Sequence, residues 1–383
     1  MSPTKVVIID DDPGTAANAV ADNLRRLGLA AEALKPEDVA LGHLEGADLI
    51  LVDYALDYWV GPRDEALAGQ PPETQMIAAR PSDGLALAAV IRSLLPADGG
   101  LRAIALLSGE LHKLVRDFSP SVTEHAAARL NGVDWAFEKT AIPGLPDLPR
   151  RIESFALALN AVKLTWLDDH DDREKKLVAM LELDESTPWF SSALGEVHTA
   201  QPPINQYAEA SHGLSILRWL AQRILPYPSF LLDAPRVAMS CAVTPDAFDG
   251  SSREELESAF GPSRYTGPLS TFLGPRWWRA GIQHEIRDGT GDTVPGPRTA
   301  GFLSERVGRD LPQLESPTSV LAIDEELNLV GPVPRENAVR VRPDDWPAFA
   351  QSGWMERRRI EDDRALLDLV DPADRALVGE GRP

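Results

Sequence analysis

Through the first 160 residues, short aliphatic runs alternate with stretches in which apolar residues recur every three to four positions. Val6-Val7-Ile8-Ile9 is apolar at every position, as a strand covered on both faces requires. Leu49-Ile50-Leu51-Val52 and Ala103-Ile104-Ala105-Leu106-Leu107 repeat the pattern, and Trp135-Ala136-Phe137-Glu138 is a shorter instance. Between these runs the period changes. Val20, Leu24 and Leu27 fall at i, i+4 and i+7, with Pro13 ahead of them and Gly28 behind. Leu87, Val90, Ile91 and Leu94 form one face of a helix that starts at Asp83-Gly84 and stops at Pro96. Ile152, Phe155, Ala156 and Leu159 do the same for a helix from about Leu148. A second strand, before Leu49, is only weakly marked. This alternation predicts an α/β domain with an open parallel sheet. Ligands of such sheets bind outside the carboxyl ends of the strands, where this chain places Asp10, Asp11, Asp53, Ser108 and Lys139.

Three further segments follow from the same patterning. Residues 57–82 interrupt the rhythm between a strand and its helix and read as an insertion, either a lid or an interaction element. Residues 161–186 read as a charged linker helix. Its Asp168, Asp169, His170, Asp171 and Asp172 form a solvated face in one reading and a metal group in the other. Residues 187–383 hold six of the nine tryptophans (Trp189, Trp219, Trp277, Trp278, Trp346 and Trp354), which are expected to anchor a core. Helices are predicted through Leu214–Ile224 and Arg276–Ile286. Residues 287–300 read as a polar surface loop, and short strands at 320–323 and 338–341 flank a Gly-Pro turn. The expectation is an α/β domain over 1–160 and a mostly helical, Trp-rich α+β output or interaction domain over 187–383.

Composition narrows the partners. The 383 residues carry 38 Lys+Arg against 59 Asp+Glu, a formal charge of −21, and both halves are acidic. Such a surface argues against nucleic acid and anionic membranes, which reward dense positive charge. No apolar run reaches membrane-spanning length and the N-terminus lacks a signal-peptide pattern, so a cytoplasmic protein is expected. Cys241 is the one cysteine, which excludes an internal disulfide or a thiolate zinc cage. Arg357, Arg358 and Arg359 are the one basic run, and Glu356, Glu361, Asp362 and Asp363 flank it, so a solvated helix face is expected there rather than a DNA-reading helix.

The strand-end residues carry the chemistry. Carboxylates gathered at one rim repel each other and call for a cation; two or three of them with water suit Mg2+. A carboxylate can also be the nucleophile that takes a phosphoryl group. The product needs a cation against its new charge and a hydroxyl to hydrogen-bond it, and Lys139 and Ser108 supply both groups. Asp12, just before Pro13, reads better as a helix cap.

The segments VVIIDDDP, LILVDY, ALLSGE and FEKT, with DGLALAAVIRSLLP between them, resemble the receiver domain of bacterial two-component response regulators over about residues 4–160. The resemblance implies a flavodoxin-like five-stranded sheet in the order 2-1-3-4-5. It implies that Asp53 is the phosphoacceptor, that Asp10 and Asp11 hold Mg2+ together with Asp53, that Ser108 is the switch hydroxyl and that Lys139 pairs with the phosphate. It also implies a histidine kinase or phosphotransfer protein as donor, and a shift of the surface around the fourth helix and fifth strand once Ser108 and Lys139 close on the phosphate. Four departures stand out: the 57–82 insertion, a longer span from Ser108 to Lys139, Thr140 in place of the proline that usually follows the lysine, and Ala136 where the family carries a mobile aromatic residue.

Three functions stay open at this level. The first is a phosphorylation-switched signalling protein whose C-terminal domain binds a protein partner, a homodimer being admissible. The second is a pseudo-receiver scaffold, not phosphorylated, in a larger defence or stress complex. The third is a receiver fused to an unrecognised hydrolase, which would need Cys241 or one of His198, His212 and His284 gathered with carboxylates.

Overall fold

The computed structural model describes residues 3–12, 14, 16–57, 59, 81–95, 101–115, 118, 120–166, 172–204, 213–343 and 346–378. Most of the 57–82 insertion, Asp168–Asp171 of the acidic run, and His212 lie outside these residues.

Five parallel strands form the first sheet: β1 (Lys5–Ile9), β2 (Ala30–Leu34), β3 (Leu49–Asp53), β4 (Ala103–Ser108) and β5 (Trp135–Glu138), in the order β2-β1-β3-β4-β5. This is the flavodoxin-like order expected of a receiver-like domain. Every residue of β3 and β4 is buried, which is why both strands read as unbroken apolar runs. The helices of this part are α1 (Ala16–Arg26), α2 (Leu41–Glu45), α3 (Gly84–Leu94), α4 (Pro120–Leu130), α5 (Leu148–Trp166) and α6 (Arg173–Met180). Val7, Ile9, Ile50 and Val52 pack with Leu44 of α2 and with Leu87 and Ile91 of α3; Trp59, inside the insertion, is buried in the same cluster. Leu106 and Ala136 pack with Ala127 and Ala128 of α4. Gly28 adopts φ 89° just past α1, the left-handed conformation that ends helices and that glycine adopts without strain.

The described chain divides into two compact units. The first comprises residues 1–181 together with 203–222 and 267–273, and the second comprises 182–202, 223–266 and 274–383. Two segments from the part read as a separate C-terminal domain are thus integral to the first unit. Within 161–186 the described residues form the end of α5 and then α6, for which Asp172 is the N-cap, its side chain accepting from Lys175 N.

The later elements are α7 (Phe190–Thr199), α8 (Leu214–Trp219), β6 (Leu231–Leu232), α9 (Ala234–Ser240), α10 (Arg253–Ala259), β7 (Trp277–Trp278), α11 (Arg279–Thr290), α12 (Pro297–Val307), β8 (Val320–Ile323), β9 (Leu329–Val333), β10 (Ala338–Val341), β11 (Gly353–Glu356) and α13 (Arg357–Asp362). In the second unit Trp278 stacks on Phe230 at 5.6 Å and lies near Trp189 and Tyr265, at 6.1 and 5.7 Å. These tryptophans are core anchors, as expected. A four-stranded sheet in the order β10-β11-β8-β9 completes this unit.

Two local expectations are corrected. Residues 287–300 are not one loop: α11 runs on to Thr290 and α12 begins at Pro297. Gly331-Pro332 is not a turn but part of β9, pairing antiparallel with β8. That strand is the outermost of its sheet, where a missing N–H is tolerated.

Candidate functional site

The parallel register levels the strand ends. Ile9 pairs with Val52, which sets Asp10 beside Asp53, and Asp53 pairs with Leu107. Ser108 pairs with Glu138, so Lys139 follows at the same rim, its backbone N–H donating to the Ser108 carbonyl at 2.8 Å. The polar residues that end apolar runs in the sequence therefore meet in space because the strands are parallel and in register.

Lys139 Nζ donates to Asp53 Oδ2 at 2.9 Å and to Asp10 Oδ2 at 3.1 Å. Asp10 turns its other oxygen toward the backbone N–H of Asp12, which donates to it at 2.9 Å. Asp10, Asp11 and Asp53 are all buried, and each offers a ligand oxygen within 4.8 Å of the others. Asp10 and Asp53 share the Lys139 ammonium group, two carboxylates against one cation in a region of low dielectric. Burial pushes the Asp53 carboxyl up to about 6, with the Asp10 charge adding to the rise and Lys139 and the Ala55 backbone opposing it. Burial acts against the Lys139 ammonium, but Asp53 and Asp10 outweigh it and raise its pKa. The donor set consists of hard oxygens at short mutual separation and fits a divalent cation such as Mg2+ or Ca2+.

Two neighbours shape the rim. A side-chain carbon on Gly84 would sit 2.0 Å from the Asp53 carbonyl oxygen and 2.8 Å from Tyr54 Cα, while Gly84 N donates to Tyr54 O at 2.9 Å. The Asp83 side chain accepts from Ala86 N at 2.9 Å and caps α3. The first turn of α3 is thus pressed against the backbone of Asp53, and only glycine fits there. Ser108 is fully buried, and its Oγ accepts from Glu110 N at 3.0 Å, a local bond that closes the turn after β4.

Other residues at the rim were not legible in the sequence. Glu124 on α4 and Arg151 on α5 are both buried and form an ion pair, and Glu124 also accepts from the backbone N–H of Glu138, the residue before Lys139, at 2.7 Å. Apolar periodicity is blind to a buried pair of charges, since each partner reads as a surface residue.

In the second unit Cys241 is fully buried, and burial pushes its thiol up to about 12, which removes it as a nucleophile near neutral pH. Ser263 donates to Glu285, which also pairs with Arg306. Arg359 on the short helix α13 pairs with Glu325 in the turn between β8 and β9, and both side chains are exposed, as a solvated charged face would be.

The chain matches no protein-family profile and no curated protein. Among solved structures it is similar to a response regulator from Burkholderia pseudomallei, with a phosphorylated aspartic acid, calcium ion and citrate. That likeness is 19% in identity and covers 58% of this chain and 98% of the other, with a TM-score of 0.24. It is also similar to a fusion carrying the yeast Spc42 trimeric coiled coil, with 19% identity, 48% of this chain and 94% of the other covered, and a TM-score of 0.27. At those scores the fold rests on the sheet order, not on either neighbour. Among the described residues no helix is long and apolar enough to cross a membrane.

Proposed function

We propose that the first unit is a receiver-like signalling domain that accepts a phosphoryl group on Asp53. Asp10, Asp11 and Asp53 hold Mg2+ in this reading, and the second half delivers the output by binding a protein partner. The observation that supports it best is the convergence of Lys139 on Asp53 and Asp10, at 2.9 and 3.1 Å, on the carboxyl rim of a 2-1-3-4-5 sheet. An Oδ atom of Asp53 attacks the phosphorus of a phosphohistidine on a histidine kinase or phosphotransfer protein. The new O–P bond forms as the N–P bond breaks, and the imidazole departs with its electron pair. Mg2+, when bound, offsets the charge of the carboxylates and of the transferring group. Lys139 trades its hold on the Asp53 carboxylate for a phosphoryl oxygen while keeping Asp10. The Ser108 hydroxyl turns from Glu110 N to donate to the same group.

The test is direct. Full-length protein incubated with Mg2+ and acetyl phosphate gains one phosphoryl group by intact mass, and Asp53→Asn gains none. Labelling that persists in Asp53→Asn overturns the assignment. A scaffold that is never phosphorylated is the second reading, and Ala136 favours it: that position is fully buried beside Leu106 and Ala127, with no ring there to reorient. Absence of labelling under conditions that label an ordinary receiver selects that reading.

A further inference from the structure

Among the described residues β5, the strand that leads into Lys139, lies at the edge of its sheet, so one row of its backbone groups faces no strand there. Side chains hold the backbone ahead of the strand and the edge at its far end. Before the strand, Gln222 donates to the carbonyls of Val133 and Asp134 at 3.2 and 2.8 Å, and Arg218 pairs with the Asp134 carboxylate. At the far end the Glu138 N–H donates to Glu124, as described above. The backbone entering Lys139 is therefore clamped from two sides, by Glu124 on the outer edge and by the Ser108 carbonyl on the inner one.

The outer clamp depends in turn on a remote segment. The other oxygen of Glu124 meets Arg151, whose guanidinium lies 5.9 Å from the Phe137 ring centre and 5.6 Å from that of Phe272. Phe272 is fully buried, with its ring 4.9 Å from Trp135, 6.0 Å from Phe137 and 5.6 Å from Phe155. Thr271 beside it donates to Ser154 on α5 at 3.1 Å. A buried ion pair holds its geometry only while both charges stay shielded and partnered, and the Phe272 ring provides part of that shield.

We propose that Glu124 and Arg151 are positioning residues for Lys139, and that Phe272 makes the strand-end site answerable to the segment 267–273. The chain of contacts runs from Lys139 through Glu138 N, Glu124 and Arg151 to the Phe272 ring. It rests on the reading of Asp53 as phosphoryl acceptor, because only then does Lys139 change partners. Coupling between two sites is reciprocal in binding free energy, so binding of a phosphoryl mimic beside Lys139 is felt at Phe272, and a change at Phe272 alters the affinity for that mimic.

The experiment uses the full chain with 4-fluorophenylalanine at position 272. Mg2+ with beryllofluoride, a phosphoryl mimic, is expected to move its fluorine resonance, and Glu124→Gln in the same labelled protein is expected to abolish that movement. Glu124→Gln is also expected to slow labelling by acetyl phosphate by about tenfold at an unchanged Mg2+ midpoint, the order seen for residues that orient a site without entering it. A merely destabilising change would weaken both quantities together, and that outcome overturns the positioning role. Labelling of the parent protein with no movement of the fluorine resonance overturns the coupling and leaves the phosphorylation reading standing. No labelling and no beryllofluoride binding in the parent overturns that reading, and this inference with it.

Discussion

Lys139 stands between two carboxylates that would otherwise repel each other across the rim. Replacing it with Met leaves Asp10 and Asp53 facing each other with no cation, so Lys139→Met is expected to cost about 2 kcal/mol at pH 7 in cation-free buffer. Millimolar Mg2+ should restore much of that loss, and urea unfolding with and without the ion measures both. The Asp53 carboxyl adds a pH dependence. Its pKa is raised from 3.8 to about 6 on folding, so the folded state binds more protons than the unfolded one between those values. Stability from this group is present below about pH 4 and is lost as pH rises through about 6. Asp53→Asn is expected to remove that slope and to be the more stable protein at pH 7 without divalent cations; urea midpoints across this range decide it. Cys241 yields a simpler test: iodoacetamide at pH 8 should leave the native protein unmodified and alkylate it fully in denaturant, read by intact mass.

At the scale of elements, α3 is placed by one glycine. Gly84→Ala would drive a methyl carbon into the backbone of Asp53 and Tyr54, so α3 must withdraw or the end of β3 must bend. The expected cost is about 2–3 kcal/mol, together with weaker divalent-cation binding, by thermal melting and calorimetric titration respectively. Legibility in the sequence also differs by element. β1, β3 and β4 are covered on both faces, so unbroken apolar runs announced them, and the polar residue ending each run marked the rim. The last turn of α11 and the whole of α12 were hidden by glycine and proline. Gly289 looks like a helix breaker but sits against the Phe302 ring, where a side-chain carbon would come within 2.2 Å. Close approach of two helices, not a loop, is the reason for that residue. Pro297 opens α12 at its first turn, where proline is at home.

For the whole molecule, the apparent boundary near residue 160 followed the end of the α/β pattern. The boundary by contact differs, since 203–222 and 267–273 belong to the first unit. Nothing in local periodicity could reveal this, because Phe272 packs on residues more than a hundred positions earlier in the chain. A fragment ending at residue 181 would leave Trp135 and Phe137 without that ring and the entry to β5 without Gln222. Such a fragment is expected to be poorly soluble, or to unfold at markedly lower temperature than the full chain, by calorimetry. Phe272→Ala in the full chain should cost about 3–5 kcal/mol, as removal of a fully buried aromatic ring does.

The split composition of the first unit bears on how the protein comes into being. The ribosome releases β5 long before it releases Phe272, so the slot over Trp135 stays open until at least residue 273 has left the exit tunnel. A nascent chain in that interval presents a greasy edge to the cell, and completion of the packing around β5 must await synthesis of much of the second unit. The two halves are consequently poor candidates for recombination as interchangeable modules, because any cut placed between the site and residue 273 severs a piece of the site's own support.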